Sequence, residues 1–186
     1  MSERNTVIRS LHDLGLATWF GGSLMGAVGL NGATGRAEDP TERTRLSSLG
    51  WKLWAPVVAG AVAAHGIGGA GLILSNRRRL DQHAGSAANT WVKGAVTVAA
   101  AGLTAYSGVL GRTVESESEQ GAEGATEPAQ GASKKLAAAQ KQLKMTQWAI
   151  PAMTGVLVVM GAQQGEQQRP SQQLRGRLPA ALGGSR

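Results

Sequence analysis

The chain contains no cysteine, which excludes several kinds of chemistry at once. Disulfide bonds, thiolate nucleophiles and cysteine-ligated metal centres all need a sulfur that these residues do not supply. Aromatic residues are also scarce, since the 186 residues include one Tyr, one Phe and five Trp. So few large rings would make a poor core for a soluble domain of this length. The 27 Gly favour instead the close helix packing that is typical of membrane proteins.

Charge is missing from four long stretches, which cover residues 14–35, 53–76, 94–111 and 145–165. As a helix, the first stretch would be about 33 Å long, enough to cross a hydrocarbon core of about 30 Å. We therefore predict an all-α integral membrane four-helix bundle; a soluble helical protein is the alternative. The first stretch is longer than a signal-peptide core, so we expect it to be retained. The lack of charge within the stretches argues against proton relays, ion-coupled transporters and membrane proteases.

The polar segments divide the chain into five parts. We predict a cytoplasmic N-terminal lead over 1–13, transmembrane helices 1–3 over 14–112, and a disordered acidic loop over 113–132. The loop carries five Glu without apolar periodicity, which is typical of disorder. A long helix that includes transmembrane helix 4 is expected over 133–165, because helix formers precede the apolar run. A basic tail follows over 166–186.

The formal charge of +7 could indicate a nucleic-acid partner, but its distribution favours lipid headgroups. Basic residues flank the apolar runs and no aromatic stacking platform is interleaved with them. Arg77, Arg78 and Arg79 directly follow the second run, so the positive-inside rule places that connection and both termini in the cytoplasm. Tryptophan at the ends of the runs is expected at headgroup level. These residues are Trp51, Trp54, Trp91 and Trp148.

Small residues recur at helical spacing within the first two runs. Gly22 and Gly26 form a GxxxG pattern, and Gly60, Ala64 and Gly68 form a longer row in the second run. Such rows let helix backbones approach each other closely. We predict that these five residues lie where helices pack, although Gly and Ala are abundant enough for such patterns to arise by chance.

His65 lies midway along the second run and could ligate a metal or haem, or hydrogen-bond a neighbouring helix. Bis-histidine ligation needs a partner at similar depth. His12 lies at the edge of the first run, which implies a depth difference of about 15 Å. We therefore expect His65 to lack a histidine partner and to serve in packing. No metal site, cofactor or catalytic residue is predicted.

Hydroxyl side chains are scattered through the runs without the spacing of a catalytic triad. They usually bond a carbonyl of the preceding helical turn, and they could also line a passive pore for small solutes. These residues are Thr18, Ser23, Thr97, Thr104, Tyr106, Ser107 and Thr154.

The phrase LHDLGLATWFGGSLMGAVGLN over residues 11–31 resembles the first helix of small, uncharacterised four-helix membrane proteins of actinobacteria. That resemblance implies a bacterial plasma membrane and no particular activity. The sequence therefore predicts a non-enzymatic accessory or scaffold subunit that packs against other membrane proteins or against itself. A haem or metal carrier that uses His65 and a passive small-solute pore are the alternatives.

Overall fold

The computed structural model describes residues 5–75 and 84–167, which are mostly helical. The helices are α1 (Thr6–Met25), α2 (Asn31–Thr34), α3 (Pro40–Ser75), α4 (Ala84–Ser116) and α5 (Lys134–Gln167). A π-helical turn, Gly26–Leu30, joins α1 to α2, and a 3₁₀ turn, Ser118–Gln120, follows α4. Two short antiparallel strands, β1 (Ala122–Gly124) and β2 (Glu127–Pro128), complete the described part of the chain. The predicted helical fold is confirmed.

Three segments are long and apolar enough to cross a membrane, namely Pro40–Ser75, Ala88–Ser116 and Lys134–Gln163. α1 is not among them. Its first half carries Arg9, His12 and Asp13, which lowers its mean hydropathy. The apolar run predicted as the first span continues past α1 into the π-helical turn and α2. The described residues therefore contain three candidate spans where the sequence predicted four.

The four long helices alternate in direction and form a ring. α1 packs on α3 and α5, and α4 packs on the same two helices. The connections 35–39 and 117–133 lie at one end, here called the loop end. The start of α1 and the end of α5 lie at the other, here called the terminal end. One buried layer takes a residue from each helix, and these residues are Trp19, Ala61, Ala100 and Ile150.

The acidic segment 113–132 is folded, which corrects the prediction of disorder. Arg43 of α3 donates from Nε to the carbonyl of Ala37 at 2.6 Å and from a terminal nitrogen to the carbonyl of Glu123 at 2.9 Å. Gly121 has a φ of 70°, and a Cβ there would lie 2.9 Å from Cβ of Pro40, so only glycine suits this turn.

Ion pairs hold the same segment to the helices on either side. Four of its five glutamates face a cation in α3 or α5. The pairs are Arg45–Glu119, Lys52–Glu115, Lys135–Glu117 and Lys144–Glu127. Each exposed pair contributes little alone, so the backbone contacts of Arg43 matter as well. Local composition could not reveal these partners, because they are distant in the chain.

The predicted topology cluster Arg77, Arg78 and Arg79 lies outside the described residues, as do residues 1–4 and 168–186. The predicted orientation and the properties of the tail therefore stay predictions.

Candidate functional site

α1 and α3 touch through their backbones at two glycines. A Cβ on Gly15 would lie 2.6 Å from the carbonyl oxygen of Ala61 and 2.6 Å from the backbone nitrogen of His65. A Cβ on Gly68 would lie 2.6 Å from the backbone nitrogen of His12. No other residue fits at either position without moving a helix. The two glycines therefore set the register of α1 against α3.

The other residues predicted to pack helices differ in their surroundings. A Cβ on Gly22 or Gly26 would meet the ring of Trp54 or Trp51, respectively. Ala64 is half-buried. Gly60 is exposed, and a Cβ there would have no atom within 4 Å.

The four tryptophans predicted at headgroup level also divide into two groups. Trp51 and Trp54 are half-buried, and their rings cover the glycines of α1. These two rings occupy the space that the missing side chains of the glycines leave on α1. Trp91 and Trp148 are 80% and 51% exposed, as a lipid-facing ring would be.

His12 and His65 are direct partners, which corrects the expected depth difference. Nδ1 of His12 lies 2.9 Å from the carbonyl oxygen of His65, and Nδ1 of His65 lies 3.0 Å from the carbonyl oxygen of His12. Their rings stack with centroids 3.9 Å apart and an interplanar angle of 19°. The sequence argument failed because it measured depth from the edges of the apolar runs. Glycine contacts, and not those edges, set the helix register.

The backbone contacts assign a tautomer to each ring. A carbonyl oxygen only accepts, so each Nδ1 must carry the hydrogen that it shares. In the neutral rings, both Nε2 atoms are then acceptors. Nε2 of His65 lies 3.4 Å from the hydroxyl of Thr97, which can donate to it weakly.

This arrangement does not suit one metal ion held by both rings. A ligated ion lies close to the plane of each imidazole, about 2.0–2.1 Å from the nitrogen. Nearly parallel planes stacked at 3.9 Å leave no point that satisfies both rings. The described residues also contain no group of three or more metal-ligating side chains. A metal ion or haem held by both histidines would need the stacked pair to separate.

A cavity of about 680 Å³ lies beside the histidine pair, between all four long helices, and is here called the terminal cavity. Its charged lining residues are Arg9, Asp13 and Lys93. Lys93 is half-buried and within electrostatic range of Asp13 and Arg9. Apolar side chains also line it, with Leu16 and Val98 nearer the buried layer and Ile73, Leu157 and Val158 farther from it.

A second cavity of about 860 Å³ lies toward the loop end between α3 and α4, here called the α3–α4 groove. Small residues line both of its sides. They are Ala55, Ala59 and Ala63 on α3 and Ala101, Ala105 and Gly108 on α4. All except the half-buried Ala101 are exposed, so the groove opens to the surroundings of the bundle.

Asn31 organises the polar wall of the α3–α4 groove. Its amide nitrogen donates to Oε1 of Gln147 at 2.6 Å, and its oxygen accepts from Nε1 of Trp51 at 2.9 Å. The side chain of Asn31 thus links the start of α2 to α3 and α5. Nothing in the sequence marked Asn31, because its partners are distant in the chain.

On α1, Trp19 lies between Leu16, which lines the terminal cavity, and Ser23, which lines the α3–α4 groove. Its side chain is fully buried, and its Nε1 donates to the hydroxyl of Thr104 at 3.1 Å. The ring of His65 meets it edge-on from the terminal side, with centroids 6.2 Å apart. On α4 the lining residues of the two cavities, Val98 and Ala101, are three positions apart, which is about 4.5 Å of helix.

The hydroxyls predicted for a pore fall in several places. Thr97 lines the terminal cavity, while Ser23, Thr104 and Ser107 line the α3–α4 groove. Thr154 is buried and donates to the carbonyl of Ile150 in its own helix at 2.8 Å. Thr18 and Tyr106 are exposed.

A shared sequence pattern could have revealed the histidine pair. His12 precedes Gly15 by three residues, and His65 precedes Gly68 by three. In two antiparallel helices, this spacing lets each glycine receive the backbone beside the opposite histidine. Comparison of the chain with known families, with curated proteins and with solved structures gives no match.

Proposed function

We propose that this chain is a non-enzymatic accessory subunit of a membrane, with the α3–α4 groove as the seat of an apolar helix from a partner protein. The observation that carries the proposal is the row of exposed small residues on both sides of that groove. Rows of this kind allow close backbone approach between helices in lipid. The resemblance of residues 11–31 and the Arg77–Arg79 cluster add a bacterial plasma membrane and cytoplasmic termini to the proposal.

The outward faces of the candidate spans support membrane embedding. Large apolar side chains remain exposed on them, including Leu53 at 69%, Ile67 at 66% and Val98 at 73%. Exposed apolar surface on this scale is a liability in water and ordinary in lipid. Carbonate extraction of native membranes tests this step, since an embedded chain stays with the lipid and a soluble chain is released.

The absence of cysteine makes the groove easy to probe. Ala59→Cys and Ala105→Cys place a single thiol on either side of it, and Ile67→Cys and Val109→Cys place one on other exposed faces of the same helices. We expect a thiol-reactive cross-linker in native membranes to give one discrete protein adduct from the groove positions and not from the control positions. Mass spectrometry then identifies the partner.

The second part of the cross-linking test fills the α3–α4 groove with a large side chain. Ala59→Trp should abolish the adduct from Ala105→Cys, whereas Ile67→Trp should leave it unchanged. An adduct of twice the chain mass would identify a second copy as the occupant. If the folded groove variants give no protein adduct, or the same adducts as the controls, the accessory role is contradicted.

A passive pathway for a small solute is the second candidate. It is favoured by one observation, which is that two cavities lie toward opposite ends of the bundle, with the buried layer between them on α1 and α4. Trp19→Ala and the milder Trp19→Phe should then increase glycerol-driven swelling of liposomes several-fold, while the exposed Trp91→Ala should not. Folded Trp19 variants that are as tight as wild type would eliminate the pathway.

A further inference from the structure

We infer that the terminal cavity binds a phosphate group, carried either by an anionic phospholipid headgroup or by a free anion. This inference is independent of the partner helix proposed for the α3–α4 groove, because the two cavities share no lining residue. It assigns a ligand class to the cluster of titratable residues around the histidine pair.

The charge of the cavity lining favours an anion. Arg9 and Lys93 contribute two positive charges, and Asp13 contributes one negative charge. With neutral histidines, the described lining carries a net charge of +1. Basic pockets between membrane-spanning helices are typical sites for phosphorylated lipid headgroups.

The donors in the cavity suit phosphate oxygens. The Arg9 guanidinium presents up to five N–H groups in a planar fork, and the Lys93 ammonium adds a compact positive charge. Thr90 and Thr97 also line the cavity, and the Thr97 hydroxyl lies beside Nε2 of His65. The Nδ1 atoms of His12 and His65 are engaged by backbone carbonyls, so the histidines do not supply donors from that side.

The terminal cavity combines charged groups with apolar side chains, as an amphiphile requires. Arg9 lies in the first turn of α1, and Thr90 and Lys93 lie early in α4, so the charged groups are at the terminal end. On the same helices, Leu16 and Val98 lie nearer the buried layer than Arg9 and Lys93 do. Val98 and Val158 are exposed, so the apolar lining is open to the lipid side as well. A phosphate at the terminal end would therefore have an apolar path for an attached acyl chain.

The test uses the purified full chain in mixed micelles that contain equal amounts of phosphatidylglycerol and phosphatidylcholine. Native mass spectrometry measures which lipid is retained. We expect retention of phosphatidylglycerol over phosphatidylcholine, and a loss of that preference by about tenfold in Arg9→Gln/Lys93→Gln. Lys52→Gln/Arg112→Gln removes the same charge at the α3–α4 groove, and the preference should persist there.

A second measurement, with inorganic phosphate alone, distinguishes a phospholipid headgroup from a free anion as the ligand. Broadening of its ³¹P resonance by wild type, absent with Arg9→Gln/Lys93→Gln, would identify a free anion if no lipid is retained. Arg9→Lys/Lys93→Arg preserves the charge, and it should preserve binding and show that the site is still folded. Absence of both lipid preference and phosphate broadening would overturn the inference, as would an equal loss in the control variant.

Discussion

Nδ1 of His12 lies 2.9 Å from the carbonyl oxygen of His65, and the reverse contact, from Nδ1 of His65 to the carbonyl oxygen of His12, is 3.0 Å. Each histidine thus bonds the backbone of the helix that carries the other. Gly15 and Gly68 make this possible by letting the two backbones approach. Both histidines line the terminal cavity, and the ring of His65 meets that of Trp19 edge-on. The contact between α1 and α3 therefore positions both the cavity and the layer that closes it.

Alanine at either histidine should destabilise the bundle. We expect His12→Ala and His65→Ala each to lower the free energy of unfolding by about 1–3 kcal/mol, because each loses a partly buried hydrogen bond. Ring stacking should make the two changes non-additive by about 0.5–1.5 kcal/mol. Denaturant unfolding in detergent, followed by circular dichroism, measures the cycle. As a control, the stability losses of His12→Ala and the distant Trp148→Ala should add. Strict additivity of His12→Ala and His65→Ala would show that stacking contributes nothing.

Alanine should destabilise the bundle at one glycine of α3 and not at another. Gly68→Ala places a methyl group 2.6–2.7 Å from backbone atoms of His12, so the helices must separate. We expect a loss of about 1–3 kcal/mol. Gly60→Ala meets no atom within 4 Å and should be neutral or slightly stabilising. Thermal unfolding of both variants in the same detergent checks the difference. Equal midpoints would show that α1 and α3 do not touch at Gly68.

Removal of the Arg43 side chain should loosen the folded acidic segment. Arg43→Gln loses the guanidinium contacts to the carbonyls of Ala37 and Glu123. We expect a protease specific for glutamate to cleave within residues 117–127 several-fold faster, while the helices stay intact. Arg36→Gln is the matched control, since Arg36 is exposed and has no recorded side-chain hydrogen bond among the described residues. Similar cleavage of both variants would refute a special role for Arg43.

Glu127 should make the loop end sensitive to acid. Partial burial alone would raise its pKa, but the Lys144 ammonium and the N–H and hydroxyl of Thr126 hold the pKa of Glu127 below its usual value. The folded state therefore binds this proton less readily than the unfolded state. The resulting stability is present above the ordinary pKa near 4.5 and is lost as pH falls through the lowered value.

Glu127→Gln isolates this contribution. Its stability deficit relative to wild type should be full at pH 6 and should shrink as the pH approaches 3, as measured by thermal unfolding in detergent. Lys144→Met should move the NMR-detected pKa of Glu127 upward. A deficit that does not change with pH would mean that the carboxylate charge is irrelevant to the loop end.

Local patterns predicted the helices well, because apolar runs and helix formers act within a few turns. Residues 133–165 were expected as a single helix, and α5 spans Lys134–Gln167. The candidate site was predicted only in fragments. His65 was recognised, but its partner was misplaced, and Arg9, Asp13, Lys93 and Asn31 were not assigned to any site. Their surroundings depend on contacts between helices, which periodicity within one helix does not encode.

The sequence by itself determined a cysteine-free chain of long apolar helices with charge confined to their ends, because composition and periodicity fix secondary structure and hydropathy. Only the tertiary structure decided that His12 faces His65, that the acidic segment is folded and that Trp19 is buried between the helices. Each of these depends on helix register. That register is set by a few direct backbone contacts at Gly15 and Gly68, where the absence of a side chain lets two helices meet.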